Sequence, residues 1–270
     1  MIELLQYEFF RNALWAALLT SISCGIIGSY IVARRMVFIG GGITHASFGG
    51  IGIAYFAGIN PLLGAAVFAV LSALGINYFT NKGNIRQDSS IAIWWSLGMA
   101  IGIIFIALSP GYAPNLMSFL FGSILTVSGI DLLFMSTIAL ITGMVFLLFF
   151  RTIMIVSFDS DFAQARNLPV KLFDYLLIVL SALAIVASIR VSGVILVLSL
   201  LTLPQATANI FTKKFSSIII ASVLIGFAGI VTGLMTAYYT NLPSGATIIL
   251  VLTVFFGIGK LVSLLRWVRN

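Results

Sequence analysis

The stretch LLIVLSALAIVA, residues 176–187, holds no charge and a single hydroxyl, and IGIIFIAL at 101–108 repeats the pattern. Neither alternates apolar with polar residues, as the strands of a transmembrane barrel do over about ten residues. Each belongs to a run long enough to cross a hydrocarbon core of roughly 30 Å as a helix of about 20 residues. The rest of the chain has the same character. Of 270 residues, 61% are apolar or aromatic and 8% are charged, where a soluble domain carries roughly 25% charged residues. A soluble globule has no room to hide so much apolar surface. A disordered chain needs the opposite composition. The sequence therefore predicts an all-α, polytopic membrane protein.

Working outward from these runs, charges, prolines and Asn/Gly clusters divide the chain into nine spans. They lie near 12–33, 36–57, 62–79, 91–109, 131–150, 172–189, 193–211, 216–238 and 245–265. Eight or ten spans remain open, because 110–130 opens with turn chemistry and its apolar part, 116–127, is too short to cross. That segment is read as dipping in and returning to its own side. The start, MIELLQYEFFR, carries Glu3 and Glu8 before any basic residue, the wrong charge for a secretory signal. It reads as mature protein, with Leu4, Leu5, Phe9 and Phe10 able to form a short interfacial helix. Residues 1–270 are expected to form one transmembrane domain.

Basic residues in short loops mark the cytoplasmic side. Nine spans place Arg34, Arg35, Lys82, Arg86, Arg151, Arg166, Lys171, Lys213, Lys214, Arg266 and Arg269 together, against Arg11 and Arg190 opposite. This predicts an outer N-terminus and a cytoplasmic C-terminus. The net charge of +7 is then a topology signal and a contact with anionic lipid, and no basic cluster with interleaved aromatics suits nucleic acid. Two polar intervals lie on the cytoplasmic side. Residues 80–90 read as a solvated loop. Residues 157–171, SFDSDFAQARNLPVK, read as a surface helix of two to three turns, capped by Asp159, Ser160 or Asp161 and stopped by Asn167 and Pro169.

Several chemistries are missing. One cysteine, Cys24, permits neither an intrachain disulfide nor a cysteine zinc site. No phosphate-binding glycine loop ends in Gly-Lys-Ser or Gly-Lys-Thr; Gly257-Ile258-Gly259-Lys260-Leu261 lacks the hydroxyl residue and the first glycine. No acidic residue lies within a span, away from its ends, to orient a histidine in a catalytic pair. One ionisable residue does lie deep in a span, His45, in VFIGGGITHASFGGIG at 37–52. A helix starting near Met36 carries it about 14 Å inward at about 1.5 Å per residue, near the midplane. Neutral imidazole is the commonest protein ligand of transition metals, and intramembrane ionisable groups are functional suspects. The alternative is a buried imidazole bonded to a nearby carbonyl. The glycines around it indicate either a broken helix at a substrate site or tight backbone packing. A second polar cluster, TLPQATAN at 202–209, surrounds Pro204. Gln205 and Asn209, at i and i+4, either satisfy backbone freed by that proline or line a path. Gly98-x-x-x-Gly102 and Gly229-x-x-x-Gly233 read as helix contacts, and the eight methionines as apolar fill.

Five segments, in order, resemble the membrane permease subunit of ATP-binding-cassette importers for zinc, manganese or iron. They are GGGITHASFGGIG, NLMSFLFGSILTVS (115–128), DSDFAQARNLPV (159–170), VSGVILVLSLLTLPQATAN (191–209) and PSGATIILV (243–251). The resemblance implies a dimer of the permease, two cytoplasmic ATPase subunits that hold the ATP, and an extracytoplasmic metal-binding protein. This chain would bind no cofactor and hydrolyse nothing. It would conduct a divalent ion past His45, with Gln205 and Asn209 on the path. Asp159, Asp161, Phe162, Ala163, Arg166, Asn167 and Pro169 would form the coupling helix against the ATPase. Two positions depart from the family pattern: the aspartate four residues before the histidine falls at Gly41, and the coupling-helix glycine at Asn167. A permease of related fold for an organic metal chelate is the alternative, as is an ion-coupled secondary transporter, although the latter usually carries an intramembrane carboxylate.

Overall fold

The computed structural model describes residues 6–109, 122 and 124–269. Among these there are helices and turns and no strand. Among the described residues nine helical segments are long and apolar enough to cross a membrane. They begin with α1 (Glu8–Ala33), α2 (Val37–Phe56), α3 (Pro61–Asn81) and α4 (Gln87–Leu108). A short 3-10 turn at Ile124–Thr126 leads into α5 (Gly129–Phe158), after which the chain crosses its polar interval through the small helix α6 (Ser160–Ala165). Then come α7 (Val170–Leu200), α8 (Leu203–Phe211), α9 (Phe215–Thr240) and α10 (Ser244–Arg269).

Helix ends follow local chemistry. Asn60 accepts the Leu62 N–H at 2.9 Å with Pro61 in the first turn, which opens α3. Ser128 and Asp131 form a reciprocal capping box at the start of α5. The interfacial helix expected at the N-terminus is instead part of a span: α1 begins at Glu8 and buries Phe10, while Leu4 and Leu5 lie outside the described residues. The fifth span is longer than the 131–150 its sequence predicts. The helix runs on to Phe158, because a long basic side chain near a membrane surface reaches outward without ending its helix. Most of the segment read as dipping into the membrane also lies outside the described residues. Its end is tied to α1, where Asn12 Nδ2 donates to the Val127 carbonyl at 3.2 Å.

α7 is a hairpin rather than one rod. Gly193 sits at φ 67 and ψ 172, and Ile185 and Leu201 on either side of it both come to Gly40. Cys24 likewise touches Ser188 before the reversal and receives Gln205 after it. The two limbs therefore run antiparallel, as two spans. Only glycine takes this backbone without strain. The second limb is broken again at Leu201–Thr202, and α8 completes that crossing.

One end of the bundle collects the polar loops. Arg34 and Arg35, Asn81 and Gln87 at the facing ends of α3 and α4, and Ser157 and Asp174 near the facing ends of α5 and α7 border one cavity; Arg35, Phe158, Lys213 and Phe215 border another. The Asn60–Pro61 turn and Ile189 meet at the opposite end. Arg34, Arg35 and Lys213 thus share one end.

Candidate functional site

His45 is the ninth of twenty residues in α2, close to the middle of a helix about 30 Å long. Its Nδ1 lies 2.9 Å from the Gly41 carbonyl oxygen. A carbonyl only accepts, so Nδ1 carries the proton. In the neutral ring the lone pair is then on Nε2, the usual arrangement for a metal-binding imidazole. The ring stacks on Trp95 of α4, with centroids 4.0 Å apart and planes 19° apart. Stacking covers a ring face and leaves the Nε2 edge open. The reading of a carbonyl-bonded imidazole holds for Nδ1. The residue is half-buried, and Trp95, which stacks on it, is exposed on the protomer surface.

The glycines around His45 are packing residues, and α2 is unbroken. A Cβ at Gly49 would stand 2.9 Å from the Gly98 oxygen, and one at Gly52 would stand 2.5 Å from the Gly102 oxygen. Gly50 meets the Gly64 backbone of α3. The Gly98/Gly102 pair is therefore a seam between α2 and α4, and Gly229/Gly233 is a second seam, against Leu252 and Ile248 of α10. Gly41 differs. A Cβ there would meet only Leu198 Cδ1 and Cδ2, at 3.5 and 4.0 Å, which is ordinary contact. No three His, Cys, Asp or Glu side chains converge among the described residues.

The 202–209 cluster does not join His45. Gln205 is fully buried, and its Nε2 donates to the Cys24 carbonyl at 2.8 Å and the Leu200 carbonyl at 3.2 Å. It repairs the backbone opened at Leu201–Thr202 and fastens α8 to α1. Asn209 is exposed at the basic end, where Lys213 Nζ donates to its carbonyl at 2.9 Å and its Oδ1 at 3.4 Å. Gln205 and Asn209 share a cavity of about 250 Å³ with Arg35 and Lys213, and His45 does not line it.

The polar interval forms a six-residue helix, shorter than the two to three turns its sequence predicts. Asp159 caps it, accepting Phe162 N–H at 2.9 Å. Asn167 ends it at φ 55, with its N–H on the Gln164 carbonyl and Leu168 N–H on the Ala163 carbonyl. This is a Schellman end in which asparagine takes the left-handed position usual for glycine. Ala163 is fully buried within the protomer, so it seats the helix rather than presenting it. The outward face is Asp161, Phe162 and Arg166, with the Arg166 guanidinium 4.9 Å above the Phe162 ring. Pro169 sits at the N-cap of α7.

Trp95 and Leu198 are the members of this site that sequence reading missed. They lie on other helices, and only the glycine seam, which brings α4 against α2, gave a hint of the first.

Comparison with known proteins agrees with this geometry. Residues 6–263 match the ABC 3 transport family. A manganese transport system membrane protein of Listeria monocytogenes is 37% identical over 258 residues, covering 96% of this chain and 92% of that one. An uncharacterized membrane protein of Synechocystis is 41% identical, over 95% of this chain and 91% of its own. Among solved structures, PsaBC from Streptococcus pneumoniae in complex with a Fab aligns with a TM-score of 0.86 and 32% identity, covering 96% of this chain and 95% of that one. An apolar helical bundle with a mid-helix imidazole, a helix-bearing polar loop at its basic end and this set of relatives belongs to the ABC 3 transport family, as the membrane permease of a metal importer.

Proposed function

We propose that the chain is the permease subunit of an ATP-driven importer of divalent transition-metal ions in the cytoplasmic membrane, and that manganese is the first cargo to test. Zinc and iron are the comparisons. The manganese assignment leans on what the relatives are said to transport. The reading is carried by His45: a half-exposed imidazole at mid-helix, with its Nε2 lone pair free of its own helix. Hydrocarbon is a poor neighbour for that nitrogen. A second permease copy facing it across a water-filled path gives it both cover and a ligand to bind.

An ion passing that point meets Nε2, water and backbone oxygen, and no carboxylate from Gly41. Such a site holds the ion weakly, which conduction requires, because an ion bound too tightly does not leave. Direction comes from outside this chain. Phe162 and Arg166 stand out at the basic end, where an ATPase groove receives them. ATP closes the ATPase pair and biases the permease between an outward and an inward opening. A metal-binding protein delivers the ion on the opposite side.

The test is uptake of radiolabelled manganese, zinc and iron in cells lacking their own importers, with the permease, its ATPase and its binding protein expressed together. His45→Ala is expected to lower uptake at least tenfold while the complex still assembles. Wild-type rates for all three ions in that variant would remove the basis of the proposal.

A further inference from the structure

The larger cavity at the basic end has no part in the metal path described above. Its volume is about 390 Å³, and its polar wall includes Tyr30, Arg34, Arg35, Thr80, Ser157 and Asp174. Two hydroxyls on that wall are buried without a hydrogen-bond partner, Thr80 Oγ1 from α3 and Ser157 Oγ from α5, while the buried Tyr30 Oη from α1 lies beside the Arg34 guanidinium. A buried hydroxyl without a partner costs free energy, and native interiors hold few of them. Two, from separate helices, border the same space.

The charges around the space are unequal. The Arg34 guanidinium donates to the Val156 and Ser157 carbonyls at 3.3 and 3.4 Å and pairs with Asp174 at 3.5 Å. Asp174 offsets Arg34, which leaves Arg35 in surplus. Arg35 itself stands at φ 58, in the left-handed position that ends α1, with its N–H on the Val32 carbonyl and Met36 N–H on the Ile31 carbonyl. Glycine is the usual occupant of that position. An arginine there accepts backbone strain, and strain of this kind collects where a side chain has work to do. It lines both cavities of this end.

We propose that this cavity binds a phosphate group. Its hydroxyls supply donors, Arg35 supplies charge, and the side-chain amides of Asn77 and Gln87 lie on the same wall. A metal ion is the wrong occupant, because two guanidinium groups outnumber one carboxylate. The carboxylate of Asp174 is the one group there that repels an anion, and its partner Arg34 screens it. Ile39, Ala73, Ile76 and Ile178 complete the cavity and provide apolar walls beside the polar ones. A lipid headgroup and free phosphate share the needed chemistry.

The experiment uses the full chain in nanodiscs and reads its thermal unfolding midpoint. One arm compares phosphatidylcholine alone with phosphatidylcholine plus phosphatidylglycerol. The other titrates inorganic phosphate into the neutral discs at ionic strength matched with chloride. Stabilisation is expected in at least one arm. Phosphatidylglycerol alone would identify a lipid headgroup, phosphate alone a soluble anion, and either result supports the site. Ser157→Ala and Arg35→Gly are expected to leave the ligand-free midpoint unchanged or raised, since one loses an unpartnered hydroxyl and the other relieves strain. Each should weaken the ligand about tenfold. Thr80→Val replaces Ser157→Ala if that variant fails to fold. Lys82→Gln, on the same end but outside the cavity, should bind as wild type does. No stabilisation in either arm overturns the proposal. So does equal stabilisation across wild type and cavity variants, or a matching loss in Lys82→Gln.

Discussion

The imidazole of His45 is held from two directions, by a carbonyl one turn earlier on its own helix and by the face of Trp95 on the next. Both fix the ring, and neither uses Nε2. Next to it, position 41 is a glycine with only a leucine side chain in reach of an added Cβ. Gly41→Asp should therefore enter without moving backbone, and would place a carboxylate one turn from the imidazole. The variant is expected to bind manganese at least tenfold more tightly, as an added charged oxygen ligand suits that ion, and to release it more slowly. Uptake kinetics would show a lower KM with a lower maximal rate; unchanged constants would place the ion elsewhere. His45 was legible in the sequence because a single ionisable group in a long apolar run has no ordinary reason to be there. Trp95 was not, since nothing along one strand of sequence says which residue of a neighbouring helix will stack on it. Of the two readings open for Gln205, the structure shows the backbone one for its Nε2, which donates to the Leu200 carbonyl before the break and to the Cys24 carbonyl of α1, while its Oε1 is buried without a hydrogen-bond partner.

Among the elements, α6 separates two roles that its sequence motif runs together. Ala163 is 0% exposed and Phe162 is 45% exposed. Phe162→Ala should fold normally and weaken ATPase docking at least tenfold, the loss expected of an exposed aromatic anchor. Ala163→Arg should act differently, by forcing a large charged side chain into packed space and displacing the helix, at about 1–3 kcal/mol or more. Binding of purified ATPase to each variant, with unfolding midpoints alongside, tells them apart. Equal docking by Phe162→Ala and wild type would show that α6 is not the contact. The helical spans themselves were legible from charge and turn positions, since hydrocarbon tolerates neither. The hairpin reversal at Gly193 was legible only as a boundary between spans. The extension of α5 past Arg151 was hidden, because a charge marks the membrane surface but does not end a helix.

For the whole molecule, the loops carrying Arg34, Arg35, Lys213 and the α5–α7 connection share one end, and the excess of basic charge there predicts the cytoplasm. A cysteine at Ser160 should then resist a membrane-impermeant maleimide in intact cells and react after the membrane is opened. The native Cys24 is 1% exposed and contributes little background. Labelling of Ser160→Cys in intact cells would invert the topology. One feature at this scale reaches beyond transport. Gly42, Gly49, Gly50 and Gly52 are each pressed against a neighbouring helix, whereas Gly41 faces a flexible leucine tip. Gly40 likewise meets only side-chain tips, so of the six glycines of α2 two can take a side chain without unseating the bundle, and one of them bonds the imidazole. On the proposed path past His45, ion preference can drift under selection while the architecture stays fixed, because position 41 is not one of those that hold the helices together.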